Sequence, residues 1–548
     1  MKLPSLSTFI AQRKRNADPP KNLRRPCATL AVIGFTLAAA TSIAQSLAPP
    51  EVTPEKVRAA LPGLERVIEQ IMKKTGAPGL SIAIVYKDQV AYLKGFGARE
   101  IGKDAPVDAD TVFQLASVSK PIASTVVAGL VGDKAISWDD PVIRHDPGFQ
   151  MNAAWVTREV TLRDLFAHRS GLADHAGDLL EDLGYDRATI LSRLHDLEPG
   201  YSFRSGYAYT NFGLTEAAVA AAKAAGKSWE ELSAERLYRP VGMTRTSSRN
   251  ADFENAPNHA SLHVILDDKW VAKYKRDPDA QSPAGGVSST ARDMAQWLRL
   301  QLAGGKIDGK QIIAQDALAE THRPQVVTGH PQHPDAAPPF YGLGWDVSYD
   351  EKGRVHWNHS GAFDLGAATT VSLLPSEDLG IVVLTNGYPI GVPEAISRSF
   401  FDLAISGKVE KDWLEVYKPL FAALTKPEYG GEIDYTRPPA RPAPPLAPDA
   451  YLGAYDNEYF GEIEVVAKNG GLRLRLGPKK TEFPMTHYDR DVFFYQPVGE
   501  NAAGPAAITF TVGANGKASG VEIENLKKGG QGVFMRQLTN KAFAKSLR

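Results

Sequence analysis

In the stretch Gln114-Leu115-Ala116-Ser117-Val118-Ser119-Lys120-Pro121-Ile122-Ala123, a serine and a lysine stand three residues apart, and an apolar run continues to Val131. That run predicts a buried helix. On a helix, residues at i and i+3 share a face, with Cβ atoms about 5–6 Å apart. The Lys120 ammonium then reaches the Ser117 hydroxyl. Pro121 fixes the placement. Proline lacks an N–H and is tolerated in a first helical turn and rarely later, so the helix begins close to Ser117. The positive end of the helix dipole favours negative charge developing there. A lysine stripped of bulk water loses proton affinity and acts as a base or proton relay. The alternative is an N-cap serine followed by a solvated lysine. This is the only Ser-x-x-Lys in the chain, so the choice rests on partners elsewhere.

The chain has 548 residues, 43% hydrophobic and 23% charged, which describes a globular protein of two or more domains. A net charge of −1 argues against nucleic acid or an anionic membrane as the main partner. Residues 1–27 are basic, Ala28 to Ala40 is apolar, and Thr41-Ser42-Ile43-Ala44 follows. This pattern predicts a secretory leader over residues 1–44, hence a periplasmic or secreted protein, or one held by the same segment as an uncleaved anchor. Cys27, the only cysteine, precedes the apolar core. The remainder then has no disulfide, thiol nucleophile or cysteine-ligated metal.

Glu55 to Thr75 has helical periodicity and stops at Gly76. Leu80 to Tyr86 and Val90 to Phe96 read as a hairpin, and Ala367 to Leu374 and Leu379 to Leu384 as two further strands. An alanine-rich helix runs from Leu214 to Ala225. Thr290-x-x-Asp293 predicts a capping box for a helix ending at Leu302. Pro389 to Ile405 is the last helix of a domain spanning 50–407. A short helix, Asp412 to Leu424, leads through a proline-rich linker (408–448) to residues 449–548. There Ile463, Val465, Leu472, Leu474 and Leu476 alternate with polar residues, which predicts a small all-β module. The fold class is α/β of the α+β kind: an antiparallel sheet flanked by helices, a helical subdomain, and the β module.

Acyl transfer by a serine needs a proton acceptor, a proton donor for the leaving group, and an oxyanion hole. Tyr209 and Asn211, just ahead of the alanine-rich helix, offer a phenol and an amide. His359, in His359-Ser360-Gly361 ahead of two strands, offers a hydrogen-bond donor. Each pattern has a second copy, Tyr455-x-Asn457 and His175-x-Gly177, so order is the discriminating feature. His168 is a catalytic candidate, though a lone turn histidine is more often structural. No Gly-x-Ser-x-Gly elbow is present. The pairs His330/His333, His356/His359 and His259/His263 lack a His-Glu-x-x-His context. No metal and no cofactor is expected.

The order of Phe113 to Lys120, Leu165-Phe166-Ala167-His168-Arg169-Ser170-Gly171-Leu172, Tyr209-Thr210-Asn211, Pro283-Ala284-Gly285-Gly286 and His359-Ser360-Gly361 resembles the serine β-lactamase/penicillin-binding superfamily. The likeness covers residues 55–405 and is closest to the class C β-lactamase-related branch, with its D-alanyl-D-alanine carboxypeptidases, D-aminopeptidases and esterases. The resemblance implies a β-lactamase/transpeptidase-like fold and an acyl-enzyme on Ser117. It implies that Lys120 and Tyr209 manage the serine proton and that Asn211 holds Lys120 and the substrate amide. The Ser117 and Ala362 N–H groups, beside Gly361, would form the oxyanion hole. β-Lactamases of this branch carry Lys-Thr-Gly where this chain has His359-Ser360-Gly361. A histidine titrating near neutrality makes the pull on a substrate carboxylate conditional. The expected function is therefore a serine hydrolase of amide, D-amino acid peptide or ester bonds. Its substrate would be a small molecule or peptide, peptidoglycan-derived peptides among the candidates. The alternatives are a class C-like β-lactamase and a slow penicillin- or cell-wall-binding protein.

Overall fold

Thr53 caps the Pro54–Thr75 helix by accepting from the Lys56 N–H, and Gly76 ends it in the left-handed conformation at φ 69°. The computed structural model describes residues 51–537, apart from 332, 425, 427, 428 and 432. The expected leader and Cys27 lie outside the described residues.

Gly79–Tyr86 and Gln89–Gly97 form the predicted hairpin. Lys87 and Asp88 at its turn both have positive φ (48° and 59°), the twist that matches right-handed strands. The hairpin joins an eight-stranded antiparallel sheet. Across the sheet the order is Gln89–Gly97, Gly79–Tyr86, Leu379–Thr385, Ala367–Leu374, Val355–Phe363, Asp346–Tyr349, Phe340–Tyr341 and Val326–Val327.

The central strands read as continuous apolar runs because both faces are covered. Leu80, Ile82 and Ile84, with Leu379, Ile381 and Val383, pack against the Pro54–Thr75 and Val392–Ser406 helices. Ala83, Val85, Val371, Val382 and Leu384 point the other way, into the core that includes the Ser119–Gly132 and Ala291–Leu302 helices. Each buried aliphatic chain contributes roughly 1.5–3 kcal/mol. That outweighs the few tenths lost by placing β-branched residues in the Ser119–Gly132 helix.

One local expectation fails. Thr290 accepts from the Asp293 N–H at 3.1 Å, but the Asp293 carboxylate does not return to Thr290. It accepts from the Arg245 N–H and the Thr246 hydroxyl instead. A tertiary partner takes the second half of the predicted box. Complete capping boxes form at Thr161/Asp164 and Ser228/Glu231.

The C-terminal module is a nine-stranded antiparallel sheet. Its two edge strands, Thr481–Pro484 and Thr486–Asp489, are separated by Met485 alone, so the sheet curls round on itself. The alternating runs read from the sequence are among its strands. The strands Gly453–Asp456, Thr481–Pro484, Thr486–Asp489 and Val533–Arg536 are not among the runs read from the sequence. Tyr455, Phe460, Phe510 and Phe534 of this module belong to the same buried cluster as Phe166, Phe212 and Trp297. The change near residue 449 is thus a change of sheet without a gap in packing.

Candidate active site

The Phe113–Gln114 strand pairs with Ser288–Ser289 and leads into a tight turn over Ala116–Val118, and the Ser119–Gly132 helix follows at once. Ala116 has φ 48°, a left-handed conformation that costs a non-glycine residue about 1–2 kcal/mol. At this bend Ser117 emerges. From Thr111 to Leu130 every residue is buried except Ser117. Strain of this kind persists where the surroundings over-determine it, commonly at reacting groups.

Four of the residues singled out in the sequence meet at Ser117. Its Oγ lies 3.0 Å from Lys120 Nζ and accepts from the Tyr209 hydroxyl at 2.7 Å. Lys120 Nζ also donates to Asn211 Oδ1 (2.7 Å) and to the Ala284 carbonyl (3.0 Å), and lies 4.4 Å from the Tyr209 ring centre. Lys120 is fully buried. Burial pulls its pKa down to about 7, against an opposing pull from Asp178. Among the described residues it has no direct carboxylate partner; Asp178 reaches it only through the Asn211 amide, which donates to Asp178 Oδ2 at 2.9 Å. A neutral amine has two N–H donors and one lone pair. Asn211 Oδ1 and the Ala284 carbonyl can only accept, and the Ser117 hydroxyl can donate, so every proton of the group is placed with Lys120 neutral. Tyr209 is pushed the other way. Burial raises its pKa, so the phenol keeps its proton.

Gly361 comes close on the opposite side. A Cβ built there would lie 2.2 Å from the Leu115 carbonyl oxygen and 2.9 Å from Ser117 N. Only glycine allows the Val355–Phe363 strand to approach the Ser117 turn this closely. Ala362 itself is exposed. Gly361→Ala is therefore expected to lower kcat about 100- to 1,000-fold, the loss associated with one oxyanion donor. Steady-state kinetics on the folded variant checks this; a kcat within threefold of wild type would contradict it.

His359 differs from expectation. It is buried, donates from Nδ1 to the Ser360 carbonyl (2.6 Å) and accepts at Nε2 from the Tyr341 hydroxyl (2.9 Å). Burial, helped by the nearby Lys120 charge, holds its pKa down to about 3. It is a neutral imidazole at physiological pH, and its expected titration near neutrality does not occur. Tertiary burial, which the sequence does not display, is the reason.

His168, in the turn that suggests a structural role, packs against the site without contacting Ser117 or Lys120 by hydrogen bond. It sits at φ 54° and accepts at Nδ1 from the Thr210 N–H at 3.2 Å. Its ring lies 4.7 Å from that of Tyr209 and 4.9 Å from that of Tyr341. The second Tyr-x-Asn copy serves the C-terminal sheet instead. Tyr455 donates to the Tyr451 carbonyl, and Asn457 accepts from the Tyr459 and Phe460 N–H groups.

Sequence reasoning misses three groups. The Ala284 carbonyl is a backbone atom without a side-chain signature. Tyr341 looks like any strand aromatic. Asp178 sits in an Asp-Leu-Leu-Glu-Asp run indistinguishable from an exposed helix, yet its Oδ2 holds both Asn211 and His175 Nδ1 (2.7 Å). At His175 burial opposes the charged form, but the Asp178 hydrogen bond prevails and the pKa is raised.

The Beta-lactamase family model matches residues 64–398, more than half of the chain. The chain belongs to the beta-lactamase family. A second model, a domain of unknown function (DUF3471), matches residues 437–536 of this beta-lactamase-family protein. Unguisins hydrolase ungD of Aspergillus violaceofuscus (strain CBS 115571) is 24% identical over 435 residues, covering 73% of this chain and 76% of the relative. Protein flp of Staphylococcus aureus (strain N315) is 24% identical over 345 residues, covering 61% of this chain and 65% of the relative. The octameric penicillin-binding protein homologue from Pyrococcus abyssi has the same fold as this beta-lactamase-family chain. Its TM-score is 0.53 at 20% identity, over 84% of this chain and 98% of that one.

Proposed function

We propose that this beta-lactamase-family serine hydrolase cleaves amide, D-amino acid peptide or ester bonds of a small molecule or short peptide through an acyl-enzyme on Ser117. The observation that carries the reading is the 3.0 Å approach of a buried, depressed-pKa lysine to the one partly exposed hydroxyl of the turn. As Ser117 Oγ bonds to the substrate carbonyl carbon, its proton passes to Lys120 Nζ. The carbonyl oxygen takes the negative charge and is held by the Ser117 and Ala362 N–H groups. When the intermediate collapses, the bond to the leaving nitrogen or oxygen breaks. Tyr209 gives that atom its proton and is reprotonated from Lys120. Water then repeats the steps on the ester of Ser117.

The neutral His359 supports this substrate class over β-lactams. It supplies no fixed cation for a substrate carboxylate, so recognition falls to hydrogen bonds along the Val355–Phe363 strand. A relative named as an unguisins hydrolase supports hydrolysis as the chemistry. The basic and apolar start of the sequence supports export to the periplasm or beyond.

The test is a panel of p-nitrophenyl esters, D- and L-amino acid anilides, D-alanyl dipeptides and nitrocefin. Turnover of esters or D-amino acid amides, with nitrocefin poor, is expected. Nitrocefin as the best substrate would overturn the substrate class in favour of a β-lactamase; lasting label without turnover would make the protein a binder. The pH dependence follows from Lys120. The base must be neutral, and its pKa is about 7. On an uncharged ester kcat/KM is therefore expected to rise tenfold per pH unit below about pH 7 and level off above it. A profile flat down to pH 5 would contradict Lys120 as the base.

A further inference from the structure

Two loops of the C-terminal module reach the elements that flank the site, the Asp178–Asp182 helix and the end of the Val355–Phe363 strand. On one side the Tyr459 hydroxyl accepts from the buried Gly177 N–H at 3.0 Å. Gly177 is the residue before Asp178, and its φ is 97°. A Cβ at Gly177 would meet the Phe212 ring at 2.6 Å, so the turn is pressed against the residue that follows Asn211. Asp182, at the far end of the Asp178–Asp182 helix, accepts from the Glu500 N–H (2.8 Å) and the Asn501 N–H (2.9 Å). The Tyr459–Phe460 segment is fastened in turn, with Arg193 donating to the Tyr459 carbonyl (2.9 Å) and Tyr185 to the Phe460 carbonyl (2.7 Å). On the other side Glu500 Oε1 accepts from the Asp364 N–H at 2.5 Å, immediately after the strand that carries Gly361 and Ala362.

Hydrogen bonds thus link Gly177 to Tyr459 and, from the adjoining residue, Asp178 to Asn211, Asn211 to Lys120 and Lys120 to Ser117. Among the described residues, the Asp178 side chain is hydrogen-bonded to His175 and Asn211 alone. Nothing on the eight-stranded sheet fixes it.

We propose that the C-terminal sheet braces the catalytic centre, with Tyr459 a positioning residue that holds the Gly177–Asp182 turn so that Asp178 keeps Asn211 against Lys120. This rests on Ser117 and Lys120 being the reacting pair. It gives the appended module a role in the hydrolase itself, separate from any binding of its own.

The groups that set the pH response can be named. Lys120 faces Asp178, with the neutral rings of His168 and His359 beside it. Asp178 faces His175, Glu181, Tyr209 and Tyr459. His175 faces Asp174 and Lys528. Removing or loosening the Asp178 charge lowers the proton affinity of both Lys120 and His175, so the acid limb of kcat/KM moves to lower pH in either case.

The experiment uses the full chain and a p-nitrophenyl ester, with Tyr459→Phe, Asp178→Asn and the double variant. Asp178→Asn is expected to move the acid limb down by about half a pH unit or more and to lower kcat about tenfold. Tyr459→Phe is expected to move it the same way by less, with kcat down about threefold to tenfold and KM unchanged. The double variant is expected to match Asp178→Asn, because coupled residues are non-additive. A Tyr459→Phe limb superimposed on wild type, with losses that multiply in the double variant, would overturn the brace. If Tyr459→Phe does not fold by circular dichroism, Arg193→Met, which frees the Tyr459 carbonyl, must show the same shift; wild-type behaviour there overturns the proposal. Turnover by Ser117→Ala would instead overturn the reading of the site itself.

Discussion

Replacing Ser117 by alanine is expected to reduce turnover to the uncatalysed background, a loss on the order of 10^6 in kcat, as when other serine nucleophiles are removed. In the proposed mechanism the Ser117 hydroxyl is the attacking group, and Lys120 and Tyr209, both hydrogen-bonded to it, act only through it. The variant is expected to fold. Ser117 is partly exposed, and losing its hydrogen bonds costs about 1–2 kcal/mol of a total that is usually several times larger. Circular dichroism and thermal unfolding verify the fold, and turnover above a percent of wild type would remove Ser117 from its role.

Lys120→Met is expected to cost about 10^3- to 10^4-fold in kcat/KM, the upper range for a lost general base. Methionine keeps the length and apolar stem of lysine, so the packing of the helix survives. Two effects on stability oppose each other. Asn211 Oδ1 and the Ala284 carbonyl lose a donor, at about 1–3 kcal/mol for each buried polar group left unpaired. Against this, a buried amine no longer has to be kept out of water, a relief of similar size. The melting temperature should change by only a few degrees while activity collapses. Near-wild-type rates in Lys120→Met would leave the serine without its base. A collapse of fold and activity together would mean that Lys120 is structural.

The elements legible in the sequence are those whose residues carry their own signal. The hairpin at 79–97, the strands at 367–385 and the Ser119–Gly132 helix are apolar runs bounded by glycine, proline or a charged turn. Burial on two faces makes all of them continuous and plain to read except the edge strand Gln89–Gly97, which is legible from its pairing turn instead. Ser117, Lys120, Tyr209 and Asn211 are legible because their chemistry is rare at that spacing and order. Other features depend on what lies opposite in space. The charge state of His359 is decided by burial and by the nearby Lys120, the second half of the Thr290 box by Arg245 and Thr246. The lysine environment is completed by the backbone oxygen of Ala284, which any residue would supply. Asp178 is hidden in an ordinary acidic helix, and Tyr459 lies beside a Tyr-x-Asn pattern that looks like a spare copy of the first.

Trapping the covalent intermediate tests the account most directly. A slow ester or penicillin substrate is mixed with the protein, the reaction is quenched in acid, and the digest is mapped by mass spectrometry. A substoichiometric acyl group is expected on the peptide containing Ser117 alone, lost on return to pH 8 at the rate of turnover. An acyl group on any other residue, or turnover at full rate with Ser117 never modified, would contradict it.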